Sequence, residues 1–125
     1  MDGMTPLHKA AMNCHLSVCQ LIVENVDYKN PKDVRGDTPL HLAAYNGQSS
    51  VCKLIIENAD DKNPKDKDGR TPLHWAAKYG HLSICQLIVD NVDDKNPKTV
   101  NGGTPLDLAI SYKNANVQNL LEDAL

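Results

Sequence analysis

The tetrapeptide Thr-Pro-Leu-His stands at Thr5–His8, Thr38–His41 and Thr71–His74, and Thr104–Asp107 repeats it with Asp in last place, each copy 33 residues after the one before. A fixed period of this length constrains the fold more than any other feature. Each unit is too short to hide its own apolar surface and must borrow that of its neighbour, so the chain is expected to stack and not to wrap round one core. The units run over about 1–32, 33–65, 66–98 and 99–125, forming one domain over 1–125.

Within a unit the signals come in a set order. Asp33-Val34-Arg35-Gly36 and Asp66-Lys67-Asp68-Gly69 carry Asp first and Gly fourth, the preference of a type I turn. Thr38 and Thr71 suit helix N-caps, and Pro39 and Pro72 suit the first helical position, where a missing N–H costs nothing. Leu40, Ala43 and Ala44 then fall at i, i+3, i+4, one buried stripe whose alanines permit close helix approach. Gly47 and Gly80 end that first helix, where a left-handed residue is easiest for glycine. A second helix follows, with Val51, Cys52, Leu54, Ile55 and Ile56 matched by Ile84, Cys85, Leu87, Ile88 and Val89. So wide an apolar face suits a helix sandwiched between neighbours. Lys-Asn-Pro, present in three copies, reads as a rigid connector.

The pattern Asp-x-x-Gly-x-Thr-Pro-Leu-His followed by Ala-Ala-x-x-Gly-His resembles the ankyrin repeat, over essentially the whole chain. The resemblance implies an all-α solenoid of antiparallel helix pairs with β-turn fingers projecting to one side. It also implies that His8, His41 and His74 bond back to their caps and tie adjacent fingers together. Val26, Ala59 and Val92 stand where the family usually has Gly, so Asn25, Asn58 or Asn91 is expected to supply a left-handed cap one residue earlier. Asn30, Asn63 and Asn96 match the loop asparagine that oxygenases hydroxylate in this family, although Lys29, Lys62 and Lys95 replace the usual preceding apolar residue.

Bulk properties narrow the function. The chain is 41% hydrophobic with 4% aromatic residues and no Phe, which suits small aliphatic packing. A net charge of −3, with Lys and Arg scattered through every unit, gives no general attraction for nucleic acid or anionic membranes. No apolar run approaches the ~18 residues of a membrane span, so insertion is not expected. Cys19, Cys52 and Cys85 recur at the repeat period, and equivalent positions in stacked helices lie roughly 8–10 Å apart, beyond the ~7 Å Cα limit of a disulfide. They read as reduced thiols filling interfaces inside a cell. Cys14, His15 and Cys19 resemble a zinc cluster, but the repeat register accounts for His15 and Cys19. With no phosphate loop, nucleophile elbow or paired carboxylates, neither cofactor nor enzymatic activity is expected.

The two ends differ. Gln118 replaces Cys85, Glu122 replaces Val89 and Ala115 replaces Leu82, the polar outer face of a C-terminal cap. The first unit holds only the tail of a turn, while Leu16, Val18, Cys19, Leu21, Ile22 and Val23 make its second helix look internal, as in a chain cut from a longer array. Cys14 stands in its helix-ending Gly slot, where a left-handed backbone costs roughly 1–2 kcal/mol.

One face stands out. Trp75, Lys78 and Tyr79 lie opposite the buried Leu73-Ala76-Ala77 stripe, matched by Leu42, Tyr45 and Asn46 and by Leu108, Ser111 and Tyr112. It carries every aromatic except Tyr28, and Tyr, Trp and Arg are frequent interface anchors. The turn tips Arg35, Asp37, Lys67, Asp68, Arg70 and Asn101 continue it, and the units disagree most there. The expectation is a protein-interaction module, monomeric unless its N-terminal repeat self-associates. The rival is a structural or regulatory segment of a larger enzyme, channel or scaffold, its activity lying outside these residues.

Overall fold

A computed structural model describes residues 2–27 and 29–125; Tyr28 lies outside them. Among the described residues there are eight helices and no strand. Four first helices, α1 (Pro6–Met12), α3 (Pro39–Tyr45), α5 (Pro72–Lys78) and α7 (Pro105–Ser111), alternate with four second helices, α2 (Leu16–Asn25), α4 (Ser49–Asn58), α6 (Leu82–Asn91) and α8 (Ala115–Ala124). First helices pack on first helices and second on second, giving two parallel layers. No described helix is long and apolar enough to cross a membrane.

The first helices are seven residues long, too short to persist alone. Their starts are fixed chemically. The Thr38 hydroxyl accepts the His41 amide at 3.4 Å while the Thr38 amide donates to His41 Nδ1 at 3.0 Å, so two of the helix's otherwise orphaned donors are satisfied. With Nδ1 an acceptor, Nε2 carries the hydrogen and donates it to the Arg70 carbonyl of the next finger at 2.8 Å. His8 and His74 repeat this strap on the Asp37 and Gly103 carbonyls. Burial pushes His41 down to about 4 and lowers His74, so both rings are neutral at physiological pH, as the strap requires. Asp107 caps Thr104 in the same way but has no second ring nitrogen to pass on.

The fingers are turns closed by Gly36 N–H on the Asp33 carbonyl at 3.0 Å and its equivalents, with Asp33 Oδ1 accepting the amides of Arg35 and Asp37. Successive tips are joined backbone to backbone, Lys67 N–H to Arg35 and Val100 N–H to Asp68.

Between neighbours the apolar columns disappear from solvent. Leu40, Ala43, Ala44, Val51, Cys52 and Ile55 are all 0% exposed. Burying one such Leu or Ile is worth about 1.5–3 kcal/mol. Burial also raises the Cys52 and Cys85 thiols to about 12, leaving them free, un-ionised space-fillers.

Three expectations need correction. Asn25, Asn58 and Asn91 are not left-handed; they are the last helical residues, and each Nδ2 donates to the carbonyl four residues back. The chain then leaves extended, with Val26 at φ −117°, so the family's Gly has no role to fill here. The ammonium groups of Lys29, Lys62 and Lys95 instead cover the Val26, Ala59 and Val92 carbonyls, which explains lysine in that loop. Second, Leu82 is itself 41% exposed, so its replacement by Ala115 says nothing about capping; Cys85 and Val89, which are buried, carry that argument. Third, Asp37 is buried, as described below.

Candidate functional site

Tyr45 at the end of α3, Trp75 and Lys78 on α5, and Tyr79 just past α5 converge on one patch. Tyr45 meets Trp75 edge-on at 5.3 Å between centroids and Tyr79 at 5.0 Å, while Trp75 and Tyr79 lie nearly parallel, 6.3 Å apart. Such pairs are worth about 0.5–1.5 kcal/mol each beyond area burial. The rings are nevertheless not interred: Tyr45 is 46% exposed and Tyr79 42%, with Trp75 half-buried. Behind them Leu73, Ala76 and Ala77 are fully buried, so α5 presents its rings from a clamped backbone.

Two cations sit on the rings. The Arg70 guanidinium lies 4.8 Å from the Trp75 centroid and is held by Asp66 at 3.1 Å and Asp68 at 3.0 Å. The Lys78 ammonium lies 5.4 Å from Trp75, 5.3 Å from Tyr79 and 5.2 Å from Tyr112. A desolvated cation–π contact contributes up to about 2 kcal/mol.

Trp75 also divides the face into two concavities. One, of about 320 Å³, is floored by Met4, Met12, Leu42 and Tyr45, with Arg35 and the edge of Asp37 on its wall. The other, of about 170 Å³, lies between Trp75 and Leu108 with Arg70 and Lys78 beside it. Met4 and Met12 are additions to the expected face, and both fall in the columns of Asp37 and Tyr45 one repeat earlier.

The remaining expected residues are distributed unevenly. Arg35, Lys67, Asp68, Asn101, Ser111 and Tyr112 are exposed, and Leu42 is half-buried. Asn46 is exposed, its amide on the Met12 carbonyl at 3.3 Å. Asp37 is buried and shows only an edge to the first concavity. Its carbonyl receives the His8 strap and its amide bonds Asp33, which turns the carboxyl inward beside Asp66. Asp37, His41 and Asp66 bring side-chain oxygen and nitrogen atoms within 4.8 Å of one another. Burial first, then the Asp66 carboxylate, pushes Asp37 well above the usual carboxylate range. Burial acts in the same direction on Asp66, but the Arg70 amide, the Asp37 carboxyl and the Arg70 charge outweigh it and hold Asp66 low. Both His41 nitrogens and both Asp66 oxygens already have partners, so the cluster reads as two acids sharing one proton.

A second set of straps escaped sequence reading. Gln48, His81 and Asn114, at the start of α4, α6 and α8, reach back to the Met12, Tyr45 and Lys78 carbonyls at 3.2, 3.2 and 2.9 Å. Their identities differ, but each offers an N–H donor at one register position. They pin the C-terminal ends of α1, α3 and α5, from which the rings project.

The sequence model of a family described as ankyrin repeats (3 copies) matches residues 1–66 and 58–124. No curated protein sequence matches the chain.

Proposed function

The chain belongs to the ankyrin-repeat family, whose members generally serve as protein-interaction modules, and on that premise we propose that it holds a protein partner in the groove of its first helices and turn tips. The observation that carries this reading is the Tyr45–Trp75–Tyr79 cluster: large rings left accessible on two helices whose other sides are fully packed. Rings that already touch one another lose little rotamer freedom when a partner covers them, so less of the contact energy is spent on ordering. Four repeats at about 10 Å spacing offer a face ~40 Å long, room for the ~800 Å² per partner of a specific complex.

The test pairs Trp75→Ala with Tyr79→Ala. Central aromatic anchors cost about 2 kcal/mol or more each on truncation, so the double variant should lose its partner in affinity capture while circular dichroism stays helical. Unchanged capture removes the groove from consideration. A second reading, a structural or regulatory arm of a larger enzyme, channel or scaffold, draws on the exposed apolar strip of Leu16, Val18 and Leu21, a surface suited to packing against another part of one chain. The length of the encoding transcript decides between them.

A further inference from the structure

We infer that the groove is built for an extended, acidic segment of a protein partner, with Lys78 receiving a carboxylate and Trp75 straddled by two apolar side chains. The inference rests on the groove reading and adds the chemistry of the occupant.

The chain carries −3 overall, yet the acids of the groove face are already engaged. Asp33 and Asp66 accept turn amides, Asp68 pairs with Arg70, Asp107 caps Thr104, and Asp37, which lines the larger concavity, is buried beside Asp66. The excess negative charge lies along the other edge, where Asp60, Asp61, Asp93 and Asp94 are exposed in the loops after the second helices. Apart from Arg70, the cations of the groove have no such partners. Among the described residues the only ion pairs are the two that Arg70 makes, which leaves Lys78, Arg35 and Lys67 without a carboxylate. Lys78 is the telling one. It is half-buried among three rings, partly stripped of water, and oriented with no anion to answer it. A carboxylate arriving there meets a charge that is already placed, and ring faces on either side exclude the water that screens it.

Geometry supplies the rest. The concavities on the two sides of Trp75 are small, about 320 and 170 Å³, and each has an apolar floor with a basic group at its edge. Each therefore suits one or two side chains of a chain laid across the intervening indole. Neighbouring repeats stand about 8–10 Å apart, and an extended chain of polyproline II type advances about 3.1 Å per residue and returns every third side chain to the same face. Side chains three residues apart thus reach from one concavity to the next, with acidic residues beside them over Lys78 and Arg35.

The lone Trp of the chain lies inside the site, so its emission reports binding directly. Short random linear peptides displayed on phage are selected on the immobilised chain and, in parallel, on Lys78→Glu. Wild type should enrich Asp and Glu next to apolar residues three apart, and Lys78→Glu should lose that enrichment. A synthetic selected peptide should shift Trp75 emission to the blue. Replacing its acids by Asn and Gln should weaken it at least about tenfold, or roughly 1.4 kcal/mol. Lys78→Gln should cost a similar factor with the acidic peptide and nothing with the neutral one. Neutral or basic peptides that still require Trp75 would overturn the acidic occupant and leave the groove reading intact. Peptides indifferent to Trp75→Ala would count against the groove itself. A selection that enriches nothing also overturns the inference, while the groove reading is then judged on the double aromatic variant.

Discussion

Repeats two and three share one sequence pattern with repeats one and four, yet the same positions have different fates in the middle and at the ends. Val51 on α4 is 0% exposed and its counterpart Val18 on α2 is 46%; Leu21 of the same helix reaches 64%. Position by position, α2 is as apolar as α4; it lacks a described neighbour on that side. At the opposite end the columns are polar instead, Gln118 half-buried and Glu122 exposed where Cys85 and Val89 are buried. The helix-ending residues divide in the same way. Gly47 and Gly80 hold φ of +73° and +72° in the middle, while Cys14 and Lys113 hold +58° and +60° at the ends. In the middle the glycine is needed twice over, since a Cβ on Gly47 would stand 2.7 Å from the His81 ring and one on Gly80 3.0 Å from the Asn114 amide oxygen. The lesson is that stability in this fold resides in the interfaces. The aromatic patch is placed on α3 and α5, the two first helices with a first-helix neighbour on both sides, and so on the part best held in one geometry.

The comparison breaks most readily at the Val column. Val51→Ala should cost roughly 2 kcal/mol, from two lost carbons at about 0.8 kcal/mol each plus the cavity left behind. Val18→Ala should stay within about 0.5 kcal/mol. Chemical denaturation of both reads the difference, and equal losses would mean that the two faces are equally covered in solution. Next in size, Cys14→Gly relieves a left-handed residue and should stabilise by about 1 kcal/mol. Amide exchange should slow in α1 and α2 more than in α5 and α6; a uniform change would deny that the first repeat opens separately.

The last effect is confined to a pH window and sharpens the contrast within the centre itself. Asp37 faces Asp66, Asp33, Arg70 and His41, and its raised value of about 7 means that the folded state keeps a proton the unfolded chain gives up near 4. That contribution is complete below the unfolded value and is lost as pH rises through about 7. His41, lowered to about 4, works in the opposite sense, losing stability as pH falls below its unfolded value near 6.5, so wild type alone shows a flattened profile. Asp37→Asn isolates the acid. Its melting temperature relative to wild type should climb as pH goes from 5 to 8, and a gap that does not move with pH would rule out a shared proton.

Local chemistry made much of this legible. The threonine caps, the prolines at N1, the alanine stripe and the histidine strap all act within one turn or at the fixed repeat distance, so their positions in the chain are their positions in space. The face carrying Tyr45, Trp75 and Tyr79 was readable for the same reason. Asp37 was misplaced because its column holds Met4, Arg70 and Gly103 elsewhere, and only the inward pull of its own backbone bonds, beside Asp66, decides that it is buried. Gln48, His81 and Asn114 were overlooked because three unlike residues perform one task.

The sequence by itself determined the period, the helices, their caps and which columns are apolar, since these depend on neighbours a few residues away or one repeat along. Tertiary structure alone decided how the rings meet, which cations are left without an anion and where the two concavities open. Those depend on the offset and rotation between stacked repeats, and no residue encodes that on its own; it emerges where apolar columns of adjacent helices pack to the least empty volume.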